Sequence, residues 1–270
     1  MLRFRKKPRR DYPFWLMAFF LGVLIFAWLI AVDGAYLQIA RNLMKGVGIT
    51  LFVAITSFVF AGVLGLVIGV LRTKGNRFLR ELASFYTEII RGLPILVVLF
   101  YVAFVGAPHL TAFYNWLFSW AIDAGLLEKM RVRDFSMTWR AIVALSVCYS
   151  AFIAEVFRAG IESVPKGQIE AASALGLSRW QTFRFIIWPQ ALKTVMPPLG
   201  NDFISMIKDS ALVSVLGVQD ITQLGKIYSS STFMFFETYN VVAYMYLVMT
   251  VSLSLIVKAL EHRLKKNESV

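Results

Sequence analysis

The chain has 270 residues, of which 58% are hydrophobic and 16% are charged, and its net charge is +12 at pH 7. Soluble domains carry about 25% charged residues, so this composition excludes an ordinary soluble domain and indicates a membrane protein. The single Cys148 excludes a disulfide framework, and the only two histidines, His109 and His262, are far apart in sequence, so no metal site is predicted. The basic residues form short clusters between apolar runs, with no aromatic-interleaved basic face, so we expect no nucleic-acid partner.

The N-terminal region predicts a membrane anchor. Six of the first ten residues are Lys or Arg, and we interpret residues 1–13 as a basic cytoplasmic arm. Residues 14–32 are nineteen residues without a charge, which is long enough to cross a hydrocarbon core. This run is longer than a signal-peptide core and lacks a small-residue cleavage site, so we expect it to be retained. Residues 35–46 are predicted to form an interfacial amphipathic helix, so that 14–46 is an extra N-terminal segment.

The second predicted span covers residues 47–71 and carries small residues at every fourth position. These are Ser57, Ala61, Gly65 and Gly69. Such a ladder allows two helix backbones to approach closely. Packing within the subunit and packing against a second subunit are both compatible with it.

Four more spans are predicted, which makes an all-α membrane protein with about six transmembrane helices. They cover residues 84–106, 139–159, 184–207 and 239–258. Three prolines, at 189, 197 and 198, are expected to break the fifth span. Residues 208–237 are polar and are predicted to be an exposed loop with a short helix.

The distribution of positive charge predicts the orientation of these spans. Residues 72–82 carry four Lys or Arg and the chain from Lys258 carries four, whereas 33–46 has only Arg41 and Lys45. Cytoplasmic loops are the ones enriched in Lys and Arg. Both termini, including a tail at 261–270, and the segment around Glu170 are therefore expected to be cytoplasmic.

Residues 168–182 are predicted to form a helix, a tight turn and a second helix. Gly176 is placed to end the first helix in left-handed geometry, and Ser178 with Gln181 can form a capping box for the second. Three alanines at 171, 172 and 174 leave a smooth side, and Glu170 adds one anion. Such a helix suits insertion into a partner's groove, although an ordinary cytoplasmic loop is the alternative.

This segment resembles the EAA motif of ABC importer permeases. Glu170, Ala171 and Ala172 are followed by Gly176, Ile186 and Trp188-Pro189 at the motif's spacing, although the motif usually ends in Leu-Pro. YTEIIRGLPILVVLF (86–100), AFIAEVFRAGIESVPKGQIEAA (151–172) and GNDFISMIKDSALVSVLGVQDI (200–221) are similar to the polar amino acid uptake permeases, those of the histidine, glutamine, arginine and glutamate type. The resemblance covers about residues 47–260.

The resemblance implies a permease domain at 47–260 with a coupling helix at about 168–182, in the bacterial inner membrane. It implies that the chain is not an enzyme and holds no cofactor, because a cytoplasmic ABC ATPase dimer binds ATP and Mg²⁺. A second permease subunit, identical or similar, and an external amino-acid-binding protein are the other implied partners, besides membrane lipid. The implied ATPase-coupling residues are Glu170, Ala171, Ala172, Gly176, Ser178 and Pro189.

Charged residues inside spans cost several kcal/mol unless they face a cavity or a partner. Glu88 and Arg91 are three residues apart and can pair on one helix face. The same spacing joins Glu155 to Arg158. A zwitterionic amino acid needs an anion for its ammonium and donors for its carboxylate, so we predict a substrate pathway, with structural ion pairs as the alternative. Its candidate residues are Glu88, Arg91, Glu155, Arg158, Asn201, Asp202, Ser205 and Lys208.

Other functional classes fit less well. The segment GVQDITQLGKIY (217–228) has the wrong glycine spacing for a P-loop, and no HExxH segment is present, so neither an ATPase nor a metalloprotease is predicted. A secondary transporter or channel that is not coupled to ATP remains the alternative, but it would leave the segment around Glu170 without a task.

Overall fold

The computed structural model describes residues 14–266. It does not describe the side chains of residue 15 or of residues from 260 onward. Residues 1–13, predicted as a basic arm, and the end of the predicted tail lie outside the described part. The described residues form helices joined by short connections, without a strand. The helices are α1 Phe14–Val32, α2 Gly34–Lys74, α3 Arg77–Gly92, α4 Ile95–Phe100, α5 Ala107–Leu117, α6 Ser119–Asp123, α7 Met137–Glu162, α8 Lys166–Ala174, α9 Arg179–Thr182, α10 Trp188–Asp209, α11 Ile221–Thr232 and α12 Phe235–Lys266. Two π-helical turns, Tyr101–Gly106 and Phe183–Ile187, and two 3₁₀ turns, Val132–Asp134 and Ser210–Leu216, complete the secondary structure.

Four segments of residues 14–266 are long and apolar enough to cross a membrane by length and composition. They are Gly34–Lys74, Ile95–Leu117, Met137–Glu162 and Phe235–Ala259. A shorter apolar helix covers Leu16–Val32. The all-α membrane fold is thus confirmed, and the count of about six spans stays a prediction.

The predicted interfacial helix at 35–46 is not separate from the second span. Both belong to α2, which runs without a break for 41 residues from its N-cap Asp33. Gly46 lies at the boundary between the two predicted segments, and there it serves packing. A Cβ atom at Gly46 would lie 2.6 Å from the backbone nitrogen of Ile221, so only glycine permits this contact with the start of α11.

The third predicted span, 84–106, is wrong in its boundaries. Helix α3 ends at Gly92, and Leu93 adopts an extended conformation with φ −98° and ψ 143°. A residue before proline is sterically pushed out of the helical region, and Pro94 follows Leu93 here. The span therefore begins at Ile95 and runs through the π-helical turn to Leu117, past its predicted end at residue 106.

The fifth predicted span is not broken by its prolines. Pro197 and Pro198 lie inside α10, and Pro189 lies in its first turn, where the missing N–H has no helical partner in any case. Membrane helices tolerate internal proline because neighbouring groups can satisfy the freed carbonyls.

The region 208–237 contains the predicted short helix, α11, but it is not an exposed loop. Helix α11 is anchored by Asp220, which is fully buried; its carboxylate accepts hydrogen bonds from the Gln223 N–H at 2.8 Å and from the Tyr246 hydroxyl at 3.0 Å. The backbone N–H of Ile221 donates to the Thr50 hydroxyl on α2. Because Asp220 and the backbone at the start of α11 find partners inside the chain, this segment packs between α2 and α12 despite its polar composition.

The small-residue ladder of α2 packs within the subunit, against α7. A Cβ atom at Gly65 would lie 2.7 Å from the side chain of Ile153, and one at Gly69 would lie 2.8 Å from the carbonyl oxygen of Ala154. The fully buried Ser57 donates a hydrogen bond to the Ile142 carbonyl. Of the two alternatives for this ladder, packing inside one chain is therefore the one observed. The core is built around this contact between α2 and α7.

Candidate functional site

Helix α8 ends in a tight turn because Gly176 adopts left-handed backbone geometry. Gly176 has a φ of 77°, and the N–H of Leu177 donates to the Ala172 carbonyl at 3.1 Å. The Gly176 N–H donates to the Ser173 carbonyl at 3.0 Å. This pair of bonds is the Schellman arrangement, which needs a left-handed residue and so favours glycine. The predicted role of Gly176 in ending the helix is confirmed.

The second helix begins with the predicted capping box. The Gln181 N–H donates to the Ser178 hydroxyl at 3.3 Å, and the Ser178 N–H donates to the Gln181 side-chain oxygen at 2.8 Å. Helix α9 then continues through the π-helical turn into α10, whose first turn contains Pro189. A helix–turn–helix with both of its inner ends capped therefore connects α7 to α10.

The two faces of α8 are different. Ala172 is buried, and Ile169 packs on an apolar cluster made of Ile161, Val164, Ile187 and Ala191. Glu170, Ala171 and Ala174 are exposed on the opposite side. Helical residues are spaced by about 100°, so three alanines at 171, 172 and 174 cannot share one face. The expectation that Ala172 belongs to a smooth outer surface is wrong, because its methyl group holds α8 against the bundle.

The sequence reasoning missed two exposed apolar side chains at the tip of this hairpin. Leu175, the last residue before the glycine, is 81% exposed, and Trp180 is 66% exposed. A large apolar residue at the end of a polar helix, directly before a turn glycine, was the available signal. Glu170, Ala171, Ala174 and Leu175 form a surface that we call the outer face of the hairpin, whereas Trp180 lies toward Ile169 and the end of α2.

A cluster of ion pairs joins three helices near this hairpin. Glu155 on α7 accepts a hydrogen bond from Arg72 on α2 at 2.7 Å and is also paired with Arg158. Arg158 makes a further ion pair with Glu162. The pairing of Glu155 with Arg158 was predicted. Arg72, whose side chain is only 11% exposed, was missed because its partner lies 83 positions away in sequence.

The predicted pair of Glu88 and Arg91 does not form. The Glu88 side chain is 71% exposed and its nearest cation is Arg72, at 4.0 Å. Arg91 lies over the ring of Phe152, with 5.8 Å between the guanidinium carbon and the ring centroid. Their spacing along one helix made the pair possible. Instead, Arg91 contacts the ring of Phe152 on α7, and Glu88 lies beside Arg72 on α2.

The remaining candidates lie on α10. Asn201 and Lys208 are exposed, whereas Asp202 and Ser205 are partly buried. One carboxylate oxygen of Asp202 is buried and has no hydrogen-bond partner among the described residues. Nearby, the Tyr149 hydroxyl donates to Asp209 at 2.7 Å. In the described part of the chain no hydrogen bond or ion pair links Glu155 to this group. Seven of the eight candidates therefore fall into an ion-pair cluster and an α10 group, and Arg91 lies apart, over Phe152.

Comparison with known proteins identifies the family. Residues 61–266 match the family described as "Binding-protein-dependent transport system inner membrane component". The probable amino-acid permease protein YxeN of Bacillus subtilis is 34% identical over 225 residues, which cover 83% of this chain and 92% of YxeN. The glutamine transport system permease protein GlnP of Escherichia coli is 35% identical over 223 residues, which cover 83% of this chain and 93% of GlnP.

The fold has also been observed in solved structures. The crystal structure of an amino acid ABC transporter with histidines matches with a TM-score of 0.71 and 32% identity, covering 86% of this chain and 99% of that one. The MetNI methionine ABC transporter in an inward-facing conformation matches at 21% identity with a TM-score of 0.63, covering 86% of this chain and 99% of that one, which shows the fold alone. The chain therefore belongs to the family of inner membrane components of binding-protein-dependent transport systems, the ABC importer permeases that its EAA segment resembles.

Proposed function

We propose that this chain is the transmembrane permease subunit of an ATP-driven importer of a polar or charged amino acid. The observation that carries the proposal is the α8–α9 hairpin, whose inner side is fixed to the bundle and whose outer face exposes Glu170, Ala171 and Leu175. Relatives that are named as amino-acid permeases support the substrate class.

In this proposal a separate cytoplasmic ATPase dimer binds and hydrolyses ATP with Mg²⁺, and the outer face of the hairpin enters a groove on that dimer. Ala172, Gly176 and Ser178 shape the hairpin, and Pro189 lets the chain enter α10. The hairpin and the basic residues 72–82 then lie on the cytoplasmic side together with both termini.

A second permease subunit, identical or similar, completes the pathway, and an external binding protein delivers the substrate. Within this chain we assign the pathway to the α10 group of Asn201, Asp202, Ser205 and Lys208. The Glu155–Arg158–Arg72 cluster, with Glu88 beside it, pairs its charges with one another, although the Arg72 Nε–H has no partner among the described residues. We assign this cluster to holding α2, α3 and α7 together.

The alternative, a secondary transporter, differs in its energy source. We expect proteoliposomes that contain the purified complex and its binding protein to accumulate amino acid only with ATP on the hairpin side. Accumulation should continue when a proton or sodium ionophore collapses the ion gradients. Uptake that requires a gradient and ignores ATP would show that the secondary-transport alternative is correct.

A further inference from the structure

A cleft of about 650 Å³ lies between the end of α2 and the inner side of the α8–α9 hairpin. Its α2 wall contains Val70 and Lys74, and its hairpin wall contains Ile169, Arg179 and Trp180. Ile169 lies on the side of α8 opposite to the exposed Glu170 and Ala171. The cleft is thus distinct from the outer face that we assign to the ATPase.

The cleft combines two free cations with an apolar floor. Lys74 and Arg179 are exposed, and among residues 14–266 neither side chain makes an ion pair or a hydrogen bond. The floor is formed by Val70, Ile169 and the buried Ile187. The hydroxyl groups of Thr73 and Ser173 already donate to backbone carbonyls, so Lys74 and Arg179 are the groups that carry charge for a ligand. This lining matches a ligand with an anionic head and an apolar body.

The position of the cleft relative to the membrane indicates which kind of anionic, partly apolar ligand it binds. Lys74 is the last residue of α2, and the uncharged stretch of that helix, residues 46–71, ends three positions before it. We therefore place the opening of the cleft where that helix leaves the hydrocarbon. The next segment exposes Arg179, Trp180, Arg184 and Phe185. Basic and aromatic side chains together are typical of the lipid headgroup region.

We propose that this cleft binds an anionic phospholipid of the leaflet that faces the ATPase. Lys74 and Arg179 contact the phosphate, and the upper acyl chain lies on Val70, Ile169 and Ile187. Because the lipid bridges α2 to the inner side of the hairpin, it stabilises the position of the helix that the ATPase must engage. This inference rests on the proposed function for the side of the membrane and for the role of the hairpin.

The test uses the full chain, with whatever ATPase co-purifies, in phosphatidylcholine nanodiscs that contain increasing fractions of brominated phosphatidylglycerol. Bromine quenches nearby tryptophan, and the difference between the natural chain and Trp180→Phe isolates the signal of Trp180. We expect saturable quenching of Trp180. Each basic residue near a membrane surface adds attraction for anionic lipid, so Lys74→Gln with Arg179→Gln should raise the half-saturating fraction about tenfold or more.

The matched control is the double variant Arg77→Gln with Arg80→Gln, which removes two exposed charges close to Lys74 in sequence but outside the cleft. It should shift the half-saturating fraction less than twofold. Equal quenching by brominated phosphatidylcholine, an equal shift in the control, or no quenching of Trp180 would overturn the proposal. Displacement by millimolar inorganic phosphate would assign the cleft to a soluble anion and would overturn it as well.

Failure of this proposal can be separated from failure of the proposed function. The quenching experiment measures lipid and needs no ATP, whereas ATP-driven uptake in proteoliposomes does not depend on Trp180 fluorescence. Loss of quenching with intact ATP-driven uptake removes the lipid site alone. Retained quenching with ATP-independent uptake keeps the lipid site and removes the assigned transport mechanism.

Discussion

Replacing Glu170 by Arg is expected to release the ATPase subunit from the purified complex. Glu170 is exposed on the outer face of α8 and makes no hydrogen bond or ion pair within the described residues, so its carboxylate is free to meet a cation on a partner. Reversing a charge at a docking interface leaves two like charges facing each other, which costs several kcal/mol. We expect at least a tenfold loss of co-purified ATPase, measured by quantitative gel analysis of affinity-purified complex.

The control for this experiment is Glu81→Arg, the same charge reversal at an exposed position on α3. It should retain the ATPase, and both variants should elute like the natural chain in size-exclusion chromatography. Glu170→Gln removes the charge without adding repulsion, and we expect an intermediate loss. Full retention of ATPase activity and stoichiometry in Glu170→Arg would contradict the assignment of the outer face.

Asp202→Asn is expected to abolish most substrate uptake while the complex still assembles. Asp202 has a buried carboxylate oxygen without a partner among residues 14–266, and an unpaired charge inside a span, as predicted for residues 184–207, is costly. Such a cost is compatible with a group that is satisfied when a substrate ammonium binds. The asparagine keeps the shape and removes the charge, so we expect uptake to fall about tenfold or more in proteoliposomes.

Asp123→Asn provides the matched control, since Asp123 is exposed at the end of α6. It should transport normally. If Asp202→Asn keeps the ATPase stoichiometry and the elution volume of the natural chain, its lost uptake reflects the pathway and not a folding defect. Normal uptake by Asp202→Asn would remove Asp202 from the pathway.

The local features of the hairpin were predictable because they depend on residues close in sequence. Gly176 at a helix end and Ser178 three residues before Gln181 specify their geometry through bonds that span three to five residues. The same holds for the membrane class, which composition alone indicated. The end of α3 was also encoded locally, by Pro94, but the apolar character of the surrounding run concealed it.

The contacts that were missed join residues distant in sequence. Arg72 reaches Glu155 across 83 positions, and Gly46 contacts Ile221 across the bundle. The burial of Ala172 depends on Ile161 and Ile187, which belong to other segments. Helical spacing could tell that Ala171 and Ala172 face different ways, but it could not tell which of them faces the core.

The most direct test of the central claim is a crosslink from the tip of the hairpin. Benzoylphenylalanine would replace Leu175, which is 81% exposed, or Leu126, which is 71% exposed on the connection between α6 and α7. After irradiation of membranes, we expect position 175 to give an adduct with the ATPase subunit and position 126 to give none with it. An ATPase adduct from position 126, or its absence from position 175 in a complex that hydrolyses ATP, would contradict the docking of this hairpin.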